Sequence, residues 1–129
     1  MAREHIPDPL STKTFARAVL QWSDCELPQH QHWLELHREL LTIRQRELIP
    51  RLRNIAGKQQ SFSRLSERAL SAHWLLGDGS KLVLLANLSN ETLSAIDLPK
   101  FQVLYTTHNE ILQQSDENYL PPWSVVWYL

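Results

Sequence analysis

A cysteine and three histidines lie close together in one short segment of the sequence. Cys25 is followed by His30, His32 and His37, and these side chains are common zinc ligands. On a helix, ligands of one metal ion lie three or four residues apart, and His30 and His32 point to different faces. We therefore predict no metal-binding residues and interpret these histidines as surface or capping residues.

Two glycine-containing segments could suggest phosphate binding. Gly77-Asp78-Gly79 lacks the further glycine and the following helix of a dinucleotide-binding loop. Gly57-Lys58 lacks the upstream glycine of a nucleoside-triphosphate loop. The first segment is better explained as a hairpin turn, because Asp and Gly tolerate positive φ. We predict no cofactor and no cofactor-binding residues.

Catalysis by a nucleophile or by paired carboxylates is not indicated either. No serine, and not Cys25, lies in a nucleophile-elbow sequence. Glycoside hydrolysis needs two carboxylates that flank a cleft, whereas Asp78, Asp97 and Asp116 fall in predicted turns. We therefore predict no catalytic residues in this chain.

The charge balance argues against polyanionic partners. Thirteen basic and fourteen acidic residues give a net charge of -1, which provides no long-range attraction for nucleic acid or anionic membrane. A basic stretch is interleaved with Glu39 and Glu47, so we interpret it as a solvated helix end. That stretch comprises Arg44, Arg46, Arg51, Arg53 and Lys58.

Length and composition are typical of one ordinary globular domain. The 129 residues are 43% hydrophobic and 21% charged. No run of 18 apolar residues is present, and residues 1–7 lack the apolar region of a signal peptide. Cys25 is the single cysteine, as expected in a reducing compartment. These features predict a soluble, cytoplasmic protein.

Five tryptophans are many for a chain of this length. A tryptophan ring can stack on a sugar as well as fill a core. Periodicity places Trp33, Trp74 and Trp127 on predicted buried faces, so we expect these three to pack in a core. Trp22 and Trp123 complete the set.

Helical patterns dominate the first part of the chain. Two prolines predict that residues 6–12 are extended, and residues 14–22 have the spacing of a short helical turn. A helix is predicted from about Pro28 to Leu48, ended by Pro50. Its apolar stripe includes Trp33, Leu36, Leu40 and Leu41, and we expect the stripe to be only partly covered.

The second part of the chain has the short apolar runs of an antiparallel β domain. Residues 51–68 are predicted to be mainly irregular. Strands are predicted at 69–76 and 81–88 around a Gly77–Ser80 turn, then at 91–98, 101–105 and 123–129. The last run is apolar on both faces, which predicts a central strand. Frequent turns favour a sandwich or a small barrel.

Three collinear stretches resemble the C-terminal end of malto-oligosyltrehalose trehalohydrolase, a family of the α-amylase superfamily. The first runs from Ile6-Pro7-Asp8-Pro9 through Thr14-Phe15 to Trp22, and the second is Leu36–Leu41 with Pro50-Arg51-Leu52. The third is Leu120-Pro121-Pro122-Trp123-Ser124-Val125-Val126-Trp127. Ala18 and Gln21 depart from the family pattern, in which Ser and Asp are expected.

This resemblance implies a mainly β fold with one long α-helix. Residues 1–50 would be an extended connector and amphipathic helix, corresponding to the last helix of a catalytic (β/α)8 barrel. Residues 51–129 would form the C-terminal antiparallel β-sandwich. The partner would be the barrel, or a second copy bound through the helix face.

The resemblance also implies a role without catalysis. In that family the catalytic carboxylates belong to barrel strands, and none maps onto this sequence. The parent enzyme hydrolyses the α-1,4 bond that joins trehalose to a maltooligosaccharide, and this segment would support its barrel. A stand-alone α-glucan-binding module or a protein-interaction domain is the alternative.

Overall fold

A computed structural model describes residues 7–113 and 118–129 of the chain. The chain divides into two compact units, residues 1–39 and residues 40–129. The predicted division at residue 50 stays a prediction. The predicted turn acid Asp116 lies outside the described residues.

The first unit contains two short helical elements before the main helix. Helix α1 spans Thr12–Ala18, and the Ser11 side chain caps it by accepting a hydrogen bond from the Lys13 amide. The helix therefore begins at the last residue of the segment predicted to be extended. Ser11 supplies the N-cap, and both prolines lie before it. Trp22 lies outside α1, in a separate 3-10 helix, Trp22–Glu26.

The main helix, α2, spans Pro28–Ile43 and begins at the predicted residue. The predicted continuation to Leu48 is not α-helical: a π-helix covers Arg44–Leu48 and a 3-10 helix covers Ile49–Leu52. Pro50 lies in the first turn of that 3-10 helix, where its missing N–H breaks the regular bonding pattern. The assignment of α2 as the last helix of a barrel stays a prediction.

The second unit contains two antiparallel sheets. Their strands are β1 Gln60–Ser66, β2 Ala69–Leu75, β3 Lys81–Asn87, β4 Leu93–Ser94, β5 Val103–Thr106, β6 Tyr119–Leu120 and β7 Ser124–Tyr128. The larger sheet has five strands in the order β1-β2-β3-β7-β5, and β4 and β6 form the smaller sheet.

The β2–β3 hairpin and the central position of β7 confirm two predictions. In the hairpin turn the Asp78 carboxylate accepts hydrogen bonds from the Ser80 amide at 2.9 Å and hydroxyl at 2.6 Å. Gly79 has a φ of 87°, which glycine adopts without steric cost. Strand β7 pairs with β3 on one side and with β5 on the other.

Strand β1 lies in the segment predicted to be mainly irregular. Its residues from Gln60 to Arg64 are all exposed, so the strand carries no apolar alternation that sequence periodicity could detect. Strand β4 is much shorter than the predicted run 91–98, and β6 was not predicted. The antiparallel β fold itself is confirmed.

One face of the large sheet packs in the main hydrophobic core. Val83 and Leu85 from β3 and Val126 and Tyr128 from β7 alternate toward this face. Leu120 from β6 belongs to the same cluster and has no exposed surface. The two sheets therefore share one core.

Candidate functional site

The residues considered as metal ligands are not brought together in the structure. Cys25 is exposed and free, and the His37 ring bonds the Trp33 carbonyl oxygen at 2.7 Å. Within residues 7–113 and 118–129, no three His, Cys, Asp or Glu side chains could hold one metal ion.

The glycine-containing turn at 77–79 contacts the segment that follows α2. The Gly77 amide donates a hydrogen bond to the Arg51 carbonyl oxygen at 2.8 Å. A Cβ at position 77 would overlap the Arg53 carbonyl oxygen, so only glycine allows this approach. Gly77 therefore joins the hairpin to the helical segment, a function that its turn-like sequence did not reveal.

Ion pairs strengthen the same junction. Arg51 lies 3.3 Å from the Glu47 carboxylate and 3.4 Å from the Asp78 carboxylate. The pKa of Glu47 is lowered, first by a hydrogen bond from Arg46 and then by the charges of Arg46 and Arg51. The pKa of Asp78 is lowered, mainly by hydrogen bonds from Ser80 and further by Arg51. Arg51 is thus paired within the chain, and the interpretation of the whole basic stretch as a solvated helix end stays a prediction.

A buried asparagine organises the loops at the other end of the core. Asn87 has no exposed surface. Its Nδ2 lies within hydrogen-bonding distance of the carbonyl oxygens of Glu91, Leu120 and Pro121, at 2.8, 3.1 and 2.9 Å. Its Oδ1 accepts from the amide and the hydroxyl of Ser89. One side chain therefore fixes the segment before β4, the end of β6 and the turn before β7.

The second face of the large sheet carries a tryptophan pair and two apolar cavities. The Trp74 and Trp127 rings stack, with centroids 5.7 Å apart and planes 22° apart. Both rings are half-buried. A cavity of about 180 Å³ lies beside them, and one of about 260 Å³ lies between Trp127, the end of α2 and β5. The face is therefore only partly covered, and both cavities open to the surface.

Trp123 is an exposed aromatic on a fixed turn. Its side chain is 61% exposed, and its φ of 55° is unusual for a bulky residue. Its amide donates to the Ser89 carbonyl oxygen at 3.0 Å. The adjacent Ser124 hydroxyl donates to the Pro121 carbonyl oxygen at 2.7 Å. Two hydrogen bonds thus hold the backbone at this exposed ring.

The described part of the first unit has an exposed apolar surface. None of the residues of α1, the following 3-10 helix or α2 is buried. The exposed fraction is 74% for Phe15, 72% for Leu20 and 79% for Trp22. Trp33 is 61% exposed, so its predicted place in a core is wrong for this chain. We call Phe15, Val19, Leu20, Trp22 and Trp33 the exposed apolar set.

Sequence comparison identifies the second unit. A family model described as Domain of unknown function (DUF3459) matches residues 59–127. The chain belongs to this family. The matched residues of the DUF3459 domain begin next to β1 and end within β7, so they include both sheets.

The wider similarity includes the first unit. Malto-oligosyltrehalose trehalohydrolase from Rhizobium sp. (strain M-11) is 27% identical over 119 residues, which are 92% of this chain and 19% of that enzyme. A crystal structure from Salmonella typhimurium, provisionally described as an alpha amylase, matches with a TM-score of 0.78 and 25% identity. That match covers 96% of this chain and 20% of the solved one. The DUF3459 chain therefore spans about one fifth of each of these relatives.

No helix among residues 7–113 and 118–129 is both long enough and apolar enough to cross a bilayer.

Proposed function

We propose that this chain is a non-catalytic C-terminal accessory domain that supports the barrel of a glycoside hydrolase. The parent type is malto-oligosyltrehalose trehalohydrolase, which releases trehalose from maltooligosyltrehalose. The observation that carries the proposal is the exposed apolar set in a unit whose described helical residues are all unburied. The match to one fifth of two longer relatives supports it.

The exposed apolar set gains stability only when a partner covers it. Burying an aromatic or aliphatic side chain of this size contributes about 1.5–3 kcal/mol. Helix α1 has seven residues, and isolated helices shorter than about 12–15 residues are marginal in water. The helices of the first unit therefore need an apolar surface to pack against, and a barrel wall provides one.

Two of the described carboxylates are poorly suited to act as a general acid. Glu47 and Asp78 are engaged with arginines at the helix–hairpin junction, and the pKa of each is lowered rather than raised. A general acid for glycoside hydrolysis needs a raised pKa and a second carboxylate across a cleft. We infer that the parent's catalysis belongs to the barrel.

A chimeric enzyme tests the proposal. This chain would replace the matching fifth of the Rhizobium enzyme, and hydrolysis of maltooligosyltrehalose and thermal unfolding would be measured. We expect the chimera to be active and the isolated chain to be inactive. The double substitution Phe15→Ser and Trp22→Ser should lower the Tm of the chimera.

Trp123→Ser is the control, because Trp123 is also a largely exposed aromatic residue, at 61%, but lies outside the exposed apolar set. It should leave the Tm of the chimera unchanged. Hydrolysis by the isolated chain would contradict the proposal. An unfolded chimera, or equal effects of the two sets of substitutions, would also contradict it.

Trp123 supports a second candidate function, α-glucan binding. An exposed ring on a fixed turn can stack on a glucose unit without losing much conformational entropy. Titration with maltooligosaccharides, followed by tryptophan fluorescence, would give a saturable change that Trp123→Ala abolishes. The accessory-domain proposal expects no saturation. Self-association through the helix face is the remaining candidate, and light scattering would detect it.

A further inference from the structure

Strand β1 has a free edge in the described part of the chain. It lies at the end of the strand order and pairs only with β2 among residues 7–113 and 118–129. Its residues Gln60–Arg64 are all exposed. Phe62, at the middle of this stretch, is 79% exposed. The side chain and the backbone edge are therefore both accessible.

The backbone pattern shows which residues of β1 face outward. The Leu75 amide donates to the Gln59 carbonyl oxygen at 3.0 Å, so odd-numbered residues of this stretch bond to β2. In an antiparallel pair the alternate residues direct their N–H and C=O groups away from the partner. Gln60, Phe62 and Arg64 thus present free backbone donors and acceptors at the open edge.

This edge lacks most of the devices that prevent strand pairing. Natural edge strands carry proline, inward-pointing charge or lysine, or are very short. Strand β1 has seven residues without proline, glycine or lysine. Its pairing with β2 is irregular only between Arg64 and Ser66, which leaves the stretch Gln60–Arg64 regular.

We propose that the β1 edge binds β1 of a second copy of this chain in an antiparallel pair. The two-fold axis passes beside Phe62. In that register alone, Gln60, Phe62 and Arg64 of each copy all pair with the other copy, and the irregularity that follows Arg64 is left out. Phe62 then lies opposite Phe62 of the second copy, and Gln60 lies opposite Arg64. Three such pairs, each with two N–H···O bonds, form about six hydrogen bonds.

The side chains on this edge are compatible with that register. The two exposed phenylalanine rings meet on the same face, as aromatic cross-strand pairs do. Each Arg64 lies opposite an uncharged Gln60, so no like charges are placed together. The paired edge runs only from Gln60 to Arg64 in each copy, far fewer than the roughly 20–30 residues a side of a standard interface, so we expect the dimer at high protein concentration.

Site-specific cross-linking tests this register. In a Cys25→Ser background, Phe62→Cys places two sulfurs on directly opposed residues, whose Cα atoms are about 5.5 Å apart. That separation suits a disulfide. Ser61→Cys is the control, because residues 61 of the two copies are offset along the strands, beyond disulfide reach. We expect a covalent dimer under mild oxidation from Phe62→Cys and none from Ser61→Cys.

Two further variants separate this contact from other modes of association. Phe62→Lys should lower the average mass measured by light scattering at high concentration to that of a monomer. Leu88→Lys changes another exposed apolar residue and should leave the dimer intact. Far-UV circular dichroism checks that each variant folds. Phe15→Ser with Trp22→Ser should leave the Phe62→Cys cross-link intact.

Three results would overturn the inference: equal cross-linking at positions 61 and 62, a monomer at every concentration, or loss of the cross-link when Phe15 and Trp22 are changed. The last result would assign association to the first unit instead. These outcomes are independent of whether the chimeric hydrolase is active.

Discussion

At the scale of single residues, Gly77 and Asn87 contribute most clearly to the second unit. Gly77 allows the hairpin turn to touch the backbone at Arg53, and Asn87 fixes three loop segments from a fully buried position. Neither function is evident from residue type, because the contact partners lie far away in sequence. The sequence predicted a turn at Gly77 and only a strand residue at Asn87.

Gly77→Ala should destabilise the chain by about 1–3 kcal/mol or more, because the added methyl group displaces the turn from the Arg53 carbonyl. Urea unfolding would measure the loss. Gly57→Ala is the control, since nothing lies within 4 Å of a Cβ there, and it should be close to neutral. Similar losses in both variants would show that the close approach does not matter.

Asn87→Ala should lower the free energy of unfolding by about 1–3 kcal/mol for the buried carbonyl groups left without a donor. Asn90→Ala, at an exposed position three residues later, provides the comparison and should have little effect. Urea unfolding of both variants tests this. An Asn87→Ala chain as stable as the parent would contradict the role assigned to the network.

At the scale of elements, the ion pairs at the helix–hairpin junction predict a pH dependence. The pKa values of Glu47 and Asp78 are lower when folded, so their stabilisation is present above the unfolded values of about 4.3 and 3.9. It is lost as the pH falls through the folded values. Urea midpoints should therefore decline below about pH 5.

The double variant Glu47→Gln and Asp78→Asn should show a smaller decline in that acid range. Asparagine at position 78 can still accept the bond from the Ser80 amide, so the turn is kept while the charge is removed. An unchanged pH profile in the double variant would assign the acid sensitivity to other carboxylates.

Elements could be predicted where local chemistry fixes them. The turn residues at 77–80 fixed the β2–β3 hairpin, and Pro28 fixed the start of α2. Strand β1 could not be predicted, because its side chains are exposed and mostly polar, and pairing with β2 alone makes it a strand. Helix α2 ends at Ile43, several residues before Pro50. The prediction that placed the end of the helix from the position of Pro50 therefore made the helix too long.

At the scale of the whole molecule, the two units differ in how much of their packing lies within the chain. The second unit encloses a shared core that contains Leu120 and Val126 with no exposed surface. The helices of the first unit bury none of their residues. Trp33 was wrongly predicted to lie in a core. Periodicity identifies the apolar face of a helix, but it does not show whether the same chain or another molecule covers that face.

Hydrogen exchange of the dilute chain carrying Phe62→Lys tests the need for an external partner most directly. Without a partner, amides of α1 and of residues 28–39 should exchange much faster than those of β2, β3 and β7, whose protection should approach that of global unfolding. Equal protection of the two units in the monomer would contradict the account, because the first unit would then be stable without any barrel.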